Sequence, residues 1–344
     1  MPSEVTPTSA RKDEHLQINL EEDVVSTRQT GFDDIQLPHE ALPDLSLSQL
    51  DSRIHFLGKD LDAPMLISSM TGGTARAEQI NRRLAAAAQA ARIAMAVGSQ
   101  RAALENPELA AGFHLRDIAP DIPLYANLGA VQLNYGFGVD HCRAAVDMLE
   151  ADALILHLNP LQEALQPEGE TDFSGLEKKI EAVCSALSVP VIAKEVGWGI
   201  SAKTAGRLLA CGITAIDVAG AGGTSWSQVE MHRAASDEHA YSASLFRDWG
   251  ISTLHAVTQV NRAYPDVPLI ASGGLRHGLD LAKTLALGAH MGGFAGVMLK
   301  AAAASTEDVL NLIQRIIREL RISMFACGCG SIEELRSLHP KVSP

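Results

Sequence analysis

Aromatic residues are scarce in this 344-residue chain, at 4%, against a hydrophobic content of 47%. A β-sandwich needs bulky side chains between its sheets, so this balance, with abundant alanine, points instead to helices packed closely on a sheet. Cysteine is also sparse. Cys142, Cys184, Cys211, Cys327 and Cys329 show no zinc-like spacing, and their odd number fits a reducing compartment. Cys327 and Cys329 read as a C-terminal turn. No apolar run reaches the length of a membrane span, and residues 1–15 (MPSEVTPTSARKDEH) lack the apolar core of a signal peptide. Positive charge is in deficit as well: a net charge of −13 repels nucleic acid and anionic membrane surfaces. These absences predict a soluble, cytoplasmic protein with no nucleic-acid or membrane partner. Any anionic substrate must then be held by a local cluster of cations. The sequence further lacks a G-x-G-x-x-G after its first strand, a G-x-S-x-G elbow, an H-E-x-x-H helix and a strand-end carboxylate cluster for two metals. This disfavours an open dinucleotide-binding sheet, a serine hydrolase, a zinc protease and a two-metal hydrolase.

What is present is a rhythm. Continuously apolar strand candidates occur at 63–70 (APMLISSM), 94–99 (AMAVGS), 123–129 (PLYANLG), 153–159 (ALILHLN), 190–196 (PVIAKEV), 215–220 (AIDVAG), 268–274 (PLIASGG) and 290–295 (HMGGFA). Helix-period segments lie between most of them, at 75–91, 140–150, 176–187 and 203–210. A last helix is capped at Ser305 and carries Val309, Ile313, Ile316, Ile317 and Leu320 on one face. Buried strands alternating with amphipathic helices mean a parallel sheet covered by helices, and eight such units close into a barrel. The expected architecture is α/β, a (β/α)8 TIM barrel with an N-terminal extension. Residues 1–60 form the extension and a pre-barrel layer, 61–325 the barrel and 326–344 a C-terminal tail. By themselves residues 1–30 read as a polar, irregular tail, and 227–248 as a long, polar, mobile loop.

In such a barrel the C-terminal strand ends share one rim. Here the rim carries Thr71, Gly72, Gly73, Ser99, Gln100, Arg101, Asn127, His157, Asn159, Lys194, residues 219–224, Gly273, Gly274, Arg276, Ala295 and Gly296. Polar groups at almost every strand end are expensive to bury without purpose. The stretch 268–300 reads as strand, glycine turn, helix, strand, glycine turn, helix. That arrangement directs two clusters of backbone N–H groups at a phosphate, with Arg276 adding charge. Lys194, a cation on a buried strand, faces an electron-rich ring whose edge Ser, Thr and Asn can hydrogen-bond. Flavin mononucleotide fits; pyridoxal phosphate on Lys194 is the second fit.

The segments RKDEH, SSMTGG, GSQR, ANLGA, HLNPLQE, KEVGWGIS, DVAGAGGTSW, ASGGLRHGLDLAKTLALGA and FAGVMLKAA together resemble the type II isopentenyl diphosphate isomerases, flavin- and magnesium-dependent enzymes of isoprenoid biosynthesis. The match runs from Arg11 to about Leu335. The resemblance implies that Met70, Thr71, Gly72, Ser99, Asn127, Lys194 and Thr224 hold the flavin ring and ribityl chain, and that Gly273, Gly274, Arg276, Ala295 and Gly296 hold its phosphate. It gives the substrate diphosphate to Arg11, Lys12, Ser99, Gln100 and Arg101, which turns the N-terminal charge run from tail into lid. Gln162 touches substrate, Glu163 binds Mg2+, and Gln162 and His157 orient or relay protons. Reduced FMN is the acid/base, NADPH the reductant, and a homo-octamer or tetramer the assembly. The competing readings are another FMN barrel acting on 2-hydroxy acids, an inosinate-type dehydrogenase and a non-catalytic flavin-binding protein. The first would need a His and an Arg, and the second a Cys, in VAGAGGTSW, which has none of them.

Overall fold

A computed structural model describes residues 7–338 and 340–342. The first six residues of the expected tail, and His339, Ser343 and Pro344, lie outside the described residues. Eight parallel strands close into a barrel: β1 Met65–Ile67, β2 Ala94–Ala96, β3 Leu124–Gly129, β4 Ala153–Leu158, β5 Val191–Glu195, β6 Ala215–Asp217, β7 Leu269–Ser272 and β8 Met291–Phe294. Each lies within its expected segment but is shorter; in all but β3 residues at the C-terminal end leave the ladder to build the rim, whereas β3 loses only Pro123 at its start. The helices expected from periodicity form Ala75–Ala91, Val139–Leu149, Leu176–Ala186 and Ala202–Ala210, and the last runs Thr306–Ala326, its first turn capped by the Ser305 hydroxyl on the Asp308 amide. No helix among the described residues is long and apolar enough to cross a membrane.

The period-2 alternation of each strand sorts its side chains between two cores. Inward positions (Leu66, Ala94, Ala96, Tyr125, Ala153, Ile155, Ile192, Ala215, Ile270 and Met291) fill the barrel, and Phe56 and Leu61 join this cluster from the antiparallel hairpin Ile54–Phe56 and Lys59–Leu61. Outward positions such as Leu154, Leu156, Val191, Ala193 and Ile216 pack under the helices. Two residues further along five of these strands, the inward face turns polar. Asn127 follows Tyr125, His157 follows Ile155, Lys194 follows Ile192, Asp217 follows Ala215 and Ser272 follows Ile270. The apolar plug and the polar layer above it are therefore one periodic pattern, and the polar layer is the floor of the site.

Two stretches differ from their reading as irregular sequence. Residues 7–21 form helix α1 (Pro7–Glu21), which buries Leu16. The following segment docks on the loop after β6, where the Ser26 amide donates to the Gly223 carbonyl (2.8 Å) and the Ser225 amide to that of Val24 (2.7 Å). The region 227–248 contains helices α2 (Trp226–Arg233) and α3 (Asp237–Ser244), with Ser227, Gln228, Val229 and Glu230 buried. Neither stretch has a strong apolar stripe. α1 and α2 are held instead by polar partners elsewhere in the fold. The C-terminal residues, expected as a tail, include the short helix Ile332–Arg336, with Ile332 and Leu335 buried, and pair Lys341 and Val342 with Gln36 and Ile35.

Candidate active site

A cavity of about 500 Å³ opens above the polar layer, a size suited to a small cofactor with substrate. Its β7–β8 end is made of backbone. Gly273 and Gly274 have φ of 105° and 78°, in the left-handed region. A Cβ on Gly274 would meet Thr30 Cγ2 at 2.4 Å and the Gly222 carbonyl oxygen at 2.5 Å, so no larger residue fits there. Opposite, Gly296 opens the nine-residue helix Gly296–Ala304, capped by the Ala295 backbone with no side chain on its first amides. A Cβ on Gly296 would meet nothing within 4 Å, and Ala295, Gly296 and Val297 line the cavity. Uncapped N–H groups at a helix start, beside a glycine turn, suit a phosphate. Arg276 borders this end, but its side chain is 58% exposed and its Nε is paired with Asp280 (3.2 Å). Lys300, one turn into the helix, also lines the cavity.

In the middle stand the inward strand-end groups. Asn127 Nδ2 donates to Ser69 Oγ (2.8 Å), which fixes its amide so that Oδ1 accepts from His157 Nδ1 (2.8 Å). Burial, reinforced by the charges of Lys194 and Lys12, pushes the His157 imidazole down to about 3. His157 is thus neutral at ordinary pH. Lys194 Nζ donates to the Glu195 carbonyl (2.7 Å) and lies 3.8 Å from the Asp217 carboxylate. Met70, Thr71, Gly72, Ser99 and Thr224 complete this wall. The loop after β1 is held by the Thr71 carbonyl, which accepts from the Gly98 amide at 3.2 Å and from Asn81 Nδ2 at 3.3 Å.

The third end is made of side chains brought from far apart in sequence. Lys12 Nζ donates to the Ser99 carbonyl (2.7 Å), and burial, then the nearby charge of Arg11, lowers its pKa to about 7. Arg11 lies 3.7 Å from Glu168, while Arg101 is held by Glu105 and Glu170, each at 2.7 Å. Glu163 is buried, with Oε1 accepting from Asn159 Nδ2 (2.8 Å) and Oε2 from Gln166 Nε2 (2.6 Å) and the Glu170 amide (2.7 Å). The Asn159 nitrogen also serves Gln162 Oε1 (3.1 Å), leaving Asn159 Oδ1 buried without a partner. A hydrated Mg2+ needs few protein ligands and prefers oxygen, so one carboxylate beside an orphaned amide oxygen fits it. Among the described residues no group of three or more His, Cys, Asp or Glu could hold a metal by itself.

Of the rim residues named from the sequence, all line this cavity except Gly73, Ala221 and Gln100, and Gln100 is the one of these three given a binding role. Its amide is turned into the wall, donating to the Ala145 carbonyl (2.8 Å) and accepting from the Asn127 amide (3.0 Å), so it positions the strand end that carries Asn127. Sequence reasoning missed His15, Asp217, Trp226, Glu230 and Arg233. Glu230 is buried and accepts from Gln162 Nε2 (3.2 Å), His15 Nε2 (3.0 Å) and Arg233 (2.6 Å). Burial would raise its pKa, but the His15 bond and the Arg233 charge prevail and hold it ionised. Arg233 also grips Glu14 (3.0 Å) and Glu168 (2.8 Å), tying α1, α2 and the segment after β4 together. His15 meets Trp226 edge to face at 5.1 Å. Only Asp217 had a usable signal, the alternation it shares with His157 and Lys194.

The FMN-dependent dehydrogenase family matches residues 17–111 and 158–341 of this chain. Isopentenyl-diphosphate delta-isomerases of Synechococcus sp., Synechocystis sp. and Nostoc sp. are 54%, 52% and 50% identical to it over 327, 329 and 335 residues. Those matches cover 95%, 95% and 97% of this chain and 94%, 94% and 96% of the relatives. In shape the chain resembles a mandelate oxidase solved with (S)-2-phenylpropionate, with TM-score 0.69, 20% identity and 96% and 94% of the two chains covered. It also resembles a putative lactate oxidase of Pediococcus acidilactici, with TM-score 0.66, 17% identity and 96% and 87% covered. At such identities the likeness is one of fold alone. The family match makes FMN, and not pyridoxal phosphate, the cofactor class. Half-identity sustained over 95% or more of the chain, on a barrel of the FMN-dependent dehydrogenase family, means that the chain belongs to the type II isopentenyl-diphosphate delta-isomerases and is an FMN flavoprotein.

Proposed function

We propose that the chain interconverts isopentenyl and dimethylallyl diphosphate by a 1,3-allylic proton shift, with reduced FMN as the acid/base and Mg2+ on the substrate diphosphate. The observation that carries this reading is the order of groups along one cavity. A backbone phosphate cradle stands at the β7–β8 end, a lysine and neutral hydrogen-bonding groups in the middle, and Arg11, Lys12, Arg101 and Glu163 at the other end. One anion of a cofactor and one of a substrate thus have separate places, with the reacting carbons between them.

Protonating an unactivated alkene is beyond an ordinary side chain at pH 7. Reduced FMN, when bound, supplies the proton and electron density facing the alkene. The chain's own residues position and screen. Gln162, clamped between Asn159 and Glu230, has its amide fixed in orientation and aligns the substrate's carbon end. His157 accepts a hydrogen bond at Nε2 and is no proton reservoir at neutral pH, since its pKa lies near 3. Glu163 with Asn159 Oδ1 holds magnesium, and Arg11, Lys12, Ser99 and Arg101 hold the diphosphate. Helix α1 and Trp226 exclude water from a cationic carbon that water would otherwise trap. NADPH as reductant, a homo-octamer or tetramer and a cytoplasmic location complete the reading.

The test is conversion of isopentenyl diphosphate under anaerobic conditions in deuterated water, across a magnesium titration and with FMN content checked first. Glu163→Gln is expected to lose about 100-fold in kcat/KM and to regain part of it with excess magnesium, whereas Gln162→Ala lowers kcat with no such rescue. Equal turnover with oxidised and reduced FMN would end the acid/base role, and identical metal responses of the two variants would end the division between Glu163 and Gln162.

A further inference from the structure

One buried charge is used by nothing above. In the barrel's hydrogen-bond register His157 on β4 lies beside Lys194 on β5, and Lys194 beside Asp217 on β6, so the three side chains share the inward face. Asp217 is 0% exposed and does not reach the cavity, although its neighbours Lys194 and Ser272 do. Its Oδ1 accepts from Ser272 Oγ at 2.6 Å and from the Ala219 amide at 3.3 Å. Its Oδ2 has no hydrogen-bond partner and stands 3.8 Å from Lys194 Nζ, the one cation in reach among the described residues. A carboxylate placed below the floor of a site, within an apolar barrel, is unfavourable unless its charge is used.

We propose that Asp217 is a positioning residue of the flavin site: acting through Lys194, it fixes the ammonium under the ring and offsets part of its charge. The inference rests on the reading that Lys194 faces the flavin. A lone ammonium in a dry barrel favours whichever flavin form is most negative, which is the anionic reduced form. An oxidoreductase can use that bias. A redox-neutral isomerase needs its flavin reduced yet still carrying a proton that can leave and return, and a lysine trimmed by a buried carboxylate meets both demands. The other buried acid coupled to Lys194 is Glu195, whose Oε2 is already taken by the amides of Val196, Gly197, Trp198 and Gly199; the inward strand-end groups Asn127, His157 and Ser272 are hydrogen-bonded to neutral atoms or to Asp217 itself. Burial pushes the Asp217 carboxyl upward, with Lys194 and Ser272 opposing it, so its charge depends on these two partners.

The experiment measures the affinities of the full-length protein for oxidised and reduced FMN, with a pH titration of the reduced flavin's absorbance. Asp217→Asn should raise the ratio of reduced to oxidised affinity about tenfold, equivalent to about 30 mV for a two-electron couple. It should also lower the pH at which the reduced flavin becomes anionic and lower kcat with KM and magnesium dependence unchanged. Lys194→Gln should move the ratio the opposite way. If Lys194→Gln lowers the ratio while Asp217→Asn leaves it unchanged or lowers it, the proposal is overturned. If neither moves it, Lys194 does not face the ring and the proposal falls with that reading. Should Asp217→Asn not fold, Ser272→Ala weakens the same carboxylate and is expected to shift the ratio in the Asp217→Asn direction by a smaller factor; no shift there overturns the proposal equally.

Discussion

At the β7–β8 end of the cavity an anion is met by backbone, with Gly273 and Gly274 in left-handed conformations and a nine-residue helix starting at Gly296. At the α1 end it is met by side chains (Arg11, Lys12, Arg101, Glu163) held in place by Glu14, Glu168, Glu170, Glu230 and Arg233. The first arrangement is rigid and cannot lose its charge complementarity, since amide dipoles do not titrate. The second depends on ion pairs between segments and on a lysine whose pKa lies near 7. A resident cofactor suits the first and a substrate that enters and leaves suits the second. Permanence and exchange are thus built from different materials.

The sharpest way to break the rigid end is Gly274→Ala. The new Cβ has no room against Thr30 and Gly222, and φ of 78° is strained for alanine. FMN affinity should fall roughly 30- to 150-fold, about 2–3 kcal/mol, with a lowered Tm. Normal FMN content with an unchanged Tm would show that the cradle is softer than its geometry suggests. At the exchanging end, Arg233→Ala removes the tie among Glu14, Glu168 and Glu230 and leaves the buried Glu230 short of its cation. KM for isopentenyl diphosphate should rise about 10- to 30-fold, more than kcat falls, while FMN affinity stays near normal. A loss of FMN with retained KM would reverse the roles of the two ends.

The third expectation concerns pH. Lys12 is charged below its pKa of about 7 and neutral above it, so the grip on the diphosphate proposed for it would be full on the acid side and lost as pH rises. The kcat/KM profile, which reports the free enzyme, should therefore fall on the alkaline side of about pH 7. Lys12→Arg cannot deprotonate in this range and should flatten that limb; an unchanged limb in the arginine variant assigns it to another group. The smallest effect is expected for Arg276→Ala. With its side chain more than half exposed and already paired to Asp280, Arg276 should alter FMN affinity only about two- to fivefold. A loss of a hundredfold would mean that side chains, and not backbone, dominate this end too.

The contrast also explains what was legible in the chain. The cradle is local: glycines, strand and helix lie within 268–300, so period and turn chemistry reveal it. The tie at the other end joins residues 11–15, 162–170 and 230–233, three stretches with no shared period. Read alone, the first and last looked like tail and loop. Their helices are stabilised by partners far away in sequence, a case of tertiary context overriding weak local preference. Gln100 shows the opposite error, since its place among rim residues was legible but the direction of its amide was not.

The sequence by itself determined the barrel, because a strand that alternates apolar residues inward and outward, repeated eight times with helices between, has few other ways to bury both faces. It determined too that polar groups crown those strands, because period 2 carries Tyr125 to Asn127, Ile155 to His157 and Ile192 to Lys194. Only the tertiary structure decided which charges meet. Asp217 under Lys194, and Glu230 among His15, Gln162 and Arg233, are set by strand register and helix docking. These depend on the closure of the whole barrel, and no stretch of chain short enough to carry a period contains them.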